Sequence, residues 1–93
     1  MRTVFDFYSD PGHGWIKVPI KLLDDLDILD KITACSYLRG QYAYLEEDCD
    51  ATTFCNALET HGIKPRFHSR ISDKSSKIRG YAPFNASLIF PQQ

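Results

Sequence analysis

The chain has 93 residues, of which 43% are hydrophobic and 25% charged, and its net charge is −1. This length suits one globular domain and leaves no room for two hydrophobic cores. No stretch approaches the ~20 apolar residues of a membrane span, and the first ten residues lack the apolar segment of a secretory signal, so we expect a cytoplasmic protein without membrane contact.

The N-terminal part predicts a β-hairpin followed by a short helix. Residues 4–8 and 13–18 are rich in strand-forming side chains, and Asp10-Pro11-Gly12 between them favours a tight turn. Pro19 suits the first turn of a helix. Leucines recur at helical spacing over residues 20–29, so we expect a helix there.

A second hairpin and helix are predicted next. Residues 32–38 and 42–45 are strand candidates around a turn at Gly40. Asp50 is placed as the N-cap of a helix over residues 51–61, and Gly62 suits the left-handed position that ends it.

The last predicted strand covers residues 63–71, where apolar residues alternate with basic ones, and residues 72–93 are less regular. The order β-β-α-β-β-α-β predicts a single α+β domain over residues 1–93. Its mostly antiparallel sheet of about five strands carries both helices on one face. If strands 42–45 and 63–71 are neighbours, the second helix is a right-handed crossover.

Charge is sorted along the chain. Residues 24–50 hold eight acids against two bases, and residues 61–80 hold six bases against one acid. Such separation can steer a charged partner or a second copy of the chain. The acidic candidates for partner binding are Asp24, Asp25, Glu46 and Glu47. The basic candidates for nucleic-acid binding or self-association are Arg66, His68, Arg70, Lys74, Lys77 and Arg79.

Two motifs have both a chemical and a structural interpretation. His13 between two glycines could be a base or a metal ligand, but a tight turn with positive-φ glycines and a buried Trp15 explains the motif better. The carboxylates at residues 46–50 could bind a hard cation, but they lack calcium-loop spacing, and strand-end solvation and helix capping account for them. We therefore expect no cofactor, no metal and no catalytic residue.

Tyrosine and cysteine give weaker signals. Tyr37, Tyr42 and Tyr44 suit either a protein interface or the core side of a sheet, and the sequence does not separate the two. The three cysteines have no C-x-x-C spacing, and we expect reduced thiols without a metal or redox role. The chain shows no G-x-S-x-G, P-loop or H-E-x-x-H motif.

The segment Asp10-Pro11-Gly12-His13-Gly14-Trp15, with Ser36-Tyr37 and the run Tyr44-Leu45-Glu46-Glu47-Asp48-Cys49-Asp50 before Phe54, resembles a group of small proteins encoded by phages, prophages and plasmids. The likeness covers about residues 7–70. It implies a mobile-element setting and no particular functional residue. Small proteins of such elements often bind and block a host protein, including defence nuclease complexes. The resemblance implies such a role only by analogy with this class of proteins.

The sequence therefore predicts a non-catalytic binding protein that blocks a host protein or a protein–nucleic acid complex, for example as a counter-defence (anti-CRISPR-type) inhibitor. Its acidic residues would compete with phosphates for a basic groove. One alternative is a nucleic-acid-binding accessory protein that uses the basic stretch 64–79. Another is a metal-dependent enzyme that uses Glu46, Glu47, Asp48 and His13. We expect a monomer, or a homodimer that salt weakens.

Overall fold

The computed structural model describes residues 3–89, and these form an α+β fold. Its strands and α-helices are β1 (Val4–Ser9), β2 (Gly14–Pro19), α1 (Ile20–Asp25), β3 (Tyr37–Arg39), β4 (Tyr42–Glu46), α2 (Asp50–Thr60), β5 (Arg66–Ile71) and β6 (Ala82–Pro83). Short 3-10 turns cover Leu29–Lys31, Lys77–Gly80 and Ala86–Leu88. Of the predicted irregular segment 72–93, residues 90–93 lie outside the described residues, as do residues 1–2 of the predicted domain.

The strands make one mixed sheet in the order β5-β1-β2-β4-β3-β6. Every neighbouring pair is antiparallel except β1 and β5, which run parallel. The prediction of an α+β fold with a mostly antiparallel sheet is confirmed in outline, but the described sheet has six strands. Strand β5 lies beside β1 and not beside β4, so α2 connects two strands that are separated by β1 and β2.

One face of the sheet carries the main hydrophobic core. Alternation along the strands places Phe5, Ile16 and Leu45 on this face, where α1 and α2 cover them. The ring of Phe54, from α2, meets that of Phe5 edge to face at 5.1 Å, and both side chains are fully buried. Full burial of a side chain of this size contributes about 1.5–3 kcal/mol, so this contact anchors α2 to the sheet.

The opposite face carries a smaller aromatic cluster under the 77–80 turn. Trp15, Tyr44 and Ile78 are buried there, with four half-buried tyrosines around them: Tyr8, Tyr37, Tyr42 and Tyr81. Trp15 is 1% exposed, which confirms its predicted role as a core anchor. The predicted irregular segment therefore supplies the residue that closes the second face of the sheet.

Several local predictions are wrong. Residues 32–36 are not a strand, because the chain turns there and β3 begins at Tyr37. The strand predicted over residues 63–71 begins only at Arg66. Helix α1 ends at Asp25, and Asp27 then adopts a left-handed conformation with φ of 58°. Asp50 is not a side-chain N-cap: it is the first residue of α2, and its carboxylate binds the loop before β3.

The glycines divide into two groups. Gly40 and Gly62 have positive φ, as predicted for a hairpin turn and a helix end. The positive φ predicted for the glycines on either side of His13 is wrong, because neither Gly12 nor Gly14 has it. The requirement at Gly14 is steric, since a Cβ there would lie 2.5 Å from Cζ of Phe7. Among residues 3–89, no helix has the length and apolarity that crossing a bilayer requires.

Candidate functional site

Strand β5 is exposed along its whole length. All six of its residues are exposed, including the apolar Phe67 at 44% and Ile71 at 83%. It lies at one end of the sheet, and within residues 3–89 only β1 pairs with it. An exposed strand at a sheet edge is a template on which another strand can pair.

The hydrogen-bond register shows which backbone groups this edge offers. Arg66 donates its N–H to Thr3 of the neighbouring strand, and Ser72 donates to Ser9. In a parallel ladder, alternate residues of a strand bond to the same neighbour, so Phe67, Ser69 and Ile71 direct their N–H and C=O groups outward. The free edge of β5 therefore presents three donors and three acceptors.

The predicted basic residues are partly neutralised. Arg70 and His68 both face Asp6 on β1, at 3.7 Å and 3.5 Å. Arg79 lies in a bidentate pair with Asp10. The remaining candidates, Arg66, Lys74 and Lys77, are exposed and make no ion pair within the described residues.

The four acidic candidates do not form one surface. Asp24 and Asp25 are exposed on α1, and Asp24 lines a groove of about 560 Å³ together with Tyr42 at the start of β4. Glu46 lies at the other end of β4, four residues and therefore about 13 Å from Tyr42. Glu46 is only 8% exposed. Glu47 is exposed beside Gly14. Glu46 is therefore not available as an open acidic contact.

No ion pair within residues 3–89 joins the acidic segment 24–50 to the basic segment 61–80. His68 and Arg70 of β5 instead face Asp6, and Arg79 of the 77–80 turn faces Asp10, two acids outside the acidic segment. The two charged segments nevertheless approach each other at one place, because Arg79 lines the same cavity as Glu46 and Asp48.

The tyrosine candidates belong to the second face of the sheet. Tyr44 is 7% exposed, and its ring lies 5.1 Å from that of Tyr81. Burial, with the neighbouring Tyr81 and Tyr8, raises the pKa of Tyr44 to about 12. Tyr37 and Tyr42 are half-buried, and Lys17 lies 4.2 Å above the ring of Tyr42. Tyr44 is therefore a core residue of the sheet, whereas Tyr37 and Tyr42 keep part of their side chains exposed.

A cavity of about 290 Å³ opens beside this cluster, at the end of β4. Its lining includes His13, Glu46, Asp48 and Cys35, with Arg79 at its side. One ligand-type atom from each of His13, Glu46 and Asp48 lies within 4.8 Å of the other two. The metal-dependent alternative from the sequence grouped His13 with Glu46, Glu47 and Asp48, and the fold brings three of these four residues together.

Two networks fix the walls of this cavity. On one side, Asp10 accepts the N–H groups of Gly12 and His13 and so shapes the turn that carries the histidine. On the other, the Ser36 hydroxyl accepts the N–H of Glu46 and donates to the buried Asp50. Asp50 also accepts two hydrogen bonds from Thr33. The end of β4 is thus tied to both the preceding loop and α2.

Cys35 lines the cavity, and Cys49 lies next to Cys35. Cys35 and Cys49 are both exposed, and a hydrogen bond between their thiols, with partial burial, raises the pKa of Cys49 to about 11. Burial likewise raises the pKa of Cys55. Thiols with raised pKa are weak nucleophiles near neutral pH, in line with the expectation of unreactive cysteines. Nothing in the spacing of Cys35 and Cys49 signalled their contact.

No family model matches the chain, and no curated protein or solved structure matches it significantly.

Proposed function

We propose that the chain is a non-catalytic binding protein that holds a host protein through the free edge of β5. The observation that carries the proposal is the exposure of all six β5 residues at a sheet end. Native proteins usually shorten, cover or charge such an edge to prevent unwanted pairing. Here the strand is six residues long, and two large apolar side chains remain exposed on it.

The side chains of β5 favour an acidic partner. Arg66, His68 and Arg70 project from one face of the strand, and Phe67 and Ile71 from the other. A partner strand would gain main-chain hydrogen bonds along the edge, apolar contact on one side and charge attraction on the other. Asp6 balances only part of the positive charge, and Arg66 stays available.

The same charges disfavour pairing of β5 with a second copy of itself. An antiparallel pair centred on His68 sets Arg66 opposite Arg70 of the other copy, so that two guanidinium groups face each other. Like charges directly opposite each other destabilise a cross-strand pair. A different protein with acidic side chains is the better occupant, and the weak homodimer becomes an outcome of the test.

The resemblance to phage and plasmid proteins suggests which partner to try first. A small mobile-element protein with an exposed edge suits steric blocking of a host defence complex, such as a nuclease complex. The basic edge would then bind an acidic surface of that complex. This mechanism reverses the polarity expected from the sequence, because Glu46 is buried and the four acidic candidates are spread over the fold.

The test measures binding of purified nuclease complexes to the immobilised chain. Ser69→Pro removes one outward N–H without touching the ladder to β1, and Ile71→Asp removes exposed apolar surface and adds a like charge for an acidic partner. We expect each variant to weaken binding at least tenfold, while Lys21→Ala, on the far side of the fold, binds as the wild type does. Circular dichroism confirms that each variant is folded.

Two results would overturn the proposal. One is binding that Ser69→Pro and Ile71→Asp leave intact. The other is retardation of DNA or RNA at low salt that is lost on neutralising Arg66, Lys74 and Lys77, because such binding is strongest at low salt and assigns a nucleic-acid function. A salt-insensitive dimer that both β5 variants dissolve would assign the edge to self-association.

A further inference from the structure

The cavity at the end of β4 brings together three side chains that bind metal ions in other proteins. His13 comes from the β1–β2 turn, and Glu46 and Asp48 come from the end of β4 and the residues after it. Nδ1 of His13 lies 3.2 Å from Oε1 of Glu46. The backbone N–H of Asp48 donates to Oε2 of the same glutamate at 2.8 Å.

The spacing of these atoms suits a shared ion. Ligands about 2.1 Å from a metal ion lie about 3.0 Å apart on an octahedral edge and about 3.4 Å apart on a tetrahedral one. The His13–Glu46 separation falls between these two values. Asp48, whose side chain is exposed, adds a carboxylate as the third ligand, and one ligand atom from each of the three residues lies within 4.8 Å of the other two.

The ligand types select the class of ion. An imidazole nitrogen with two carboxylates suits zinc and the other first-row divalent ions, whereas Mg²⁺ and Ca²⁺ prefer a full shell of oxygen atoms. Cys35 lines the same cavity and would add a soft ligand. The positive charge of Arg79, which also lines the cavity, is balanced by its pair with Asp10.

Hydrogen bonds hold the backbone that carries two of the ligands, Glu46 and His13. The side chain of Glu46 is 11% exposed, and its backbone N–H donates to Ser36, whose hydroxyl donates to the buried Asp50. The turn that carries His13 is closed by Asp10. Hydrogen bonds behind the ligands raise affinity because they fix ligand orientation.

We propose that His13, Glu46 and Asp48 form a binding site for a first-row divalent transition-metal ion, with zinc as the best match. The site lies at the end of β4, apart from the free edge of β5, and the proposal does not depend on the binding function of that edge.

Calorimetry and thermal unfolding of the full chain with Zn²⁺, Mn²⁺, Ni²⁺ and Mg²⁺ test the site, with the free ion as the probe. We expect one Zn²⁺ per chain, a rise in melting temperature with zinc, and no rise with Mg²⁺. His13→Ala and Asp48→Asn should each weaken zinc binding at least tenfold. Both side chains are exposed, so both variants should fold.

Matched controls separate this site from others on the chain. His61→Ala and Glu47→Gln remove an exposed histidine and a neighbouring carboxylate outside the cluster, and each should bind zinc as the wild type does. The proposal would be overturned if wild type, His13→Ala and Asp48→Asn bound zinc equally well. It would also be overturned if only the double variant Cys35→Ser/Cys49→Ser lost zinc binding. Failure of the wild type to bind any of the three transition-metal ions would also reject it.

Discussion

Arg79 donates two parallel hydrogen bonds to the carboxylate of Asp10, from Nε to Oδ2 at 2.6 Å and from Nη2 to Oδ1 at 2.7 Å. The pair joins the β1–β2 turn to the 77–80 turn, which lies far along the chain. Asp10 also accepts N–H groups from Gly12, His13 and Ser76. One carboxylate therefore orders the turn that carries His13 and holds the cover of the second sheet face.

Replacing Asp10 should make the stability of the fold less dependent on pH in the acid range. The Arg79 guanidinium, with the Ser76 N–H, holds the pKa of Asp10 well below its ordinary value of 3.8. Because the pKa is lower in the folded chain than in the unfolded chain, the ionised carboxylate stabilises the fold at any pH above about 4. This stabilisation is lost progressively as the pH falls below about 4. Asp10→Asn should therefore melt several degrees below wild type near neutral pH, and the gap should narrow towards about pH 2.

Urea or thermal unfolding followed by Trp15 fluorescence measures this gap. Asp73→Asn, at an exposed acid outside every ion pair of residues 3–89, serves as the control and should follow the wild type at each pH. A gap that stays constant from neutral to acid pH would show that the Asp10–Arg79 pair does not supply the difference.

Gly14→Ala should destabilise the fold because of a steric clash. Backbone strain is not the cause, because φ at Gly14 is not positive. A Cβ at residue 14 would lie 2.5 Å from Cζ of Phe7 and 2.9 Å from Oε2 of Glu47. Overpacking of this kind costs about 1–3 kcal/mol. Gly80→Ala is the matched control, because a Cβ there meets nothing within 4 Å and φ is not positive. Equal free energies of unfolding for the two variants would contradict the steric argument.

The elements that the sequence predicts best are those marked by local signals, such as turn glycines, helix ends and alternation of side chains along a strand. Gly62 marks the end of α2, Gly40 marks the second hairpin, and the alternation over residues 63–71 marks β5, although the strand begins only at Arg66. The strand predicted at residues 32–38 starts too early, because Asp50, 17 positions beyond Thr33, holds residues before Tyr37 in a loop through side-chain hydrogen bonds. Periodicity of apolar residues carries no information about such a contact.

The candidate sites depended on pairings between distant segments. His13 and Glu46 are 33 residues apart and meet only because β2 and β4 pair with Trp15 opposite Glu46. Likewise, the exposure of β5 follows from its place beside β1 at the end of the sheet, which chain order does not determine. The sequence showed the charges of β5 and the carboxylates of residues 46–50, but not their neighbours.

Asp50→Ala should lower stability more than removal of an exposed aspartate does. Asp50 is 2% exposed, and its carboxylate accepts from the Thr33 N–H, the Thr33 hydroxyl and the Ser36 hydroxyl. The buried Ser36 hydroxyl, left without its acceptor, would cost about 1–3 kcal/mol, and the loop before β3 would lose its attachment to α2. Asp30→Ala, at an exposed position, should change the free energy of unfolding by less than about 0.5 kcal/mol.

Urea titration of the two variants gives this comparison directly. Ser36→Ala tests the network independently, because it removes the hydroxyl that links Asp50 to the N–H of Glu46. If Asp50→Ala and Asp30→Ala unfolded at the same urea concentration, the buried network would not stabilise the end of β4.

Tyr44 should make the fold sensitive to alkali. Burial, together with Tyr81 and Tyr8, raises its pKa from 10.0 to about 12. The charged form is thus disfavoured in the folded chain, so the stability present below about pH 10 is lost as the pH rises through about 12. Tyr44→Phe, which cannot ionise, should unfold at higher pH than wild type, whereas Tyr37→Phe retains Tyr44 and should unfold as wild type does. Tyrosinate absorbance and far-ultraviolet circular dichroism, recorded over one alkaline titration, measure ionisation and unfolding together. If wild type and Tyr44→Phe lost structure at the same pH, another group would control alkaline unfolding.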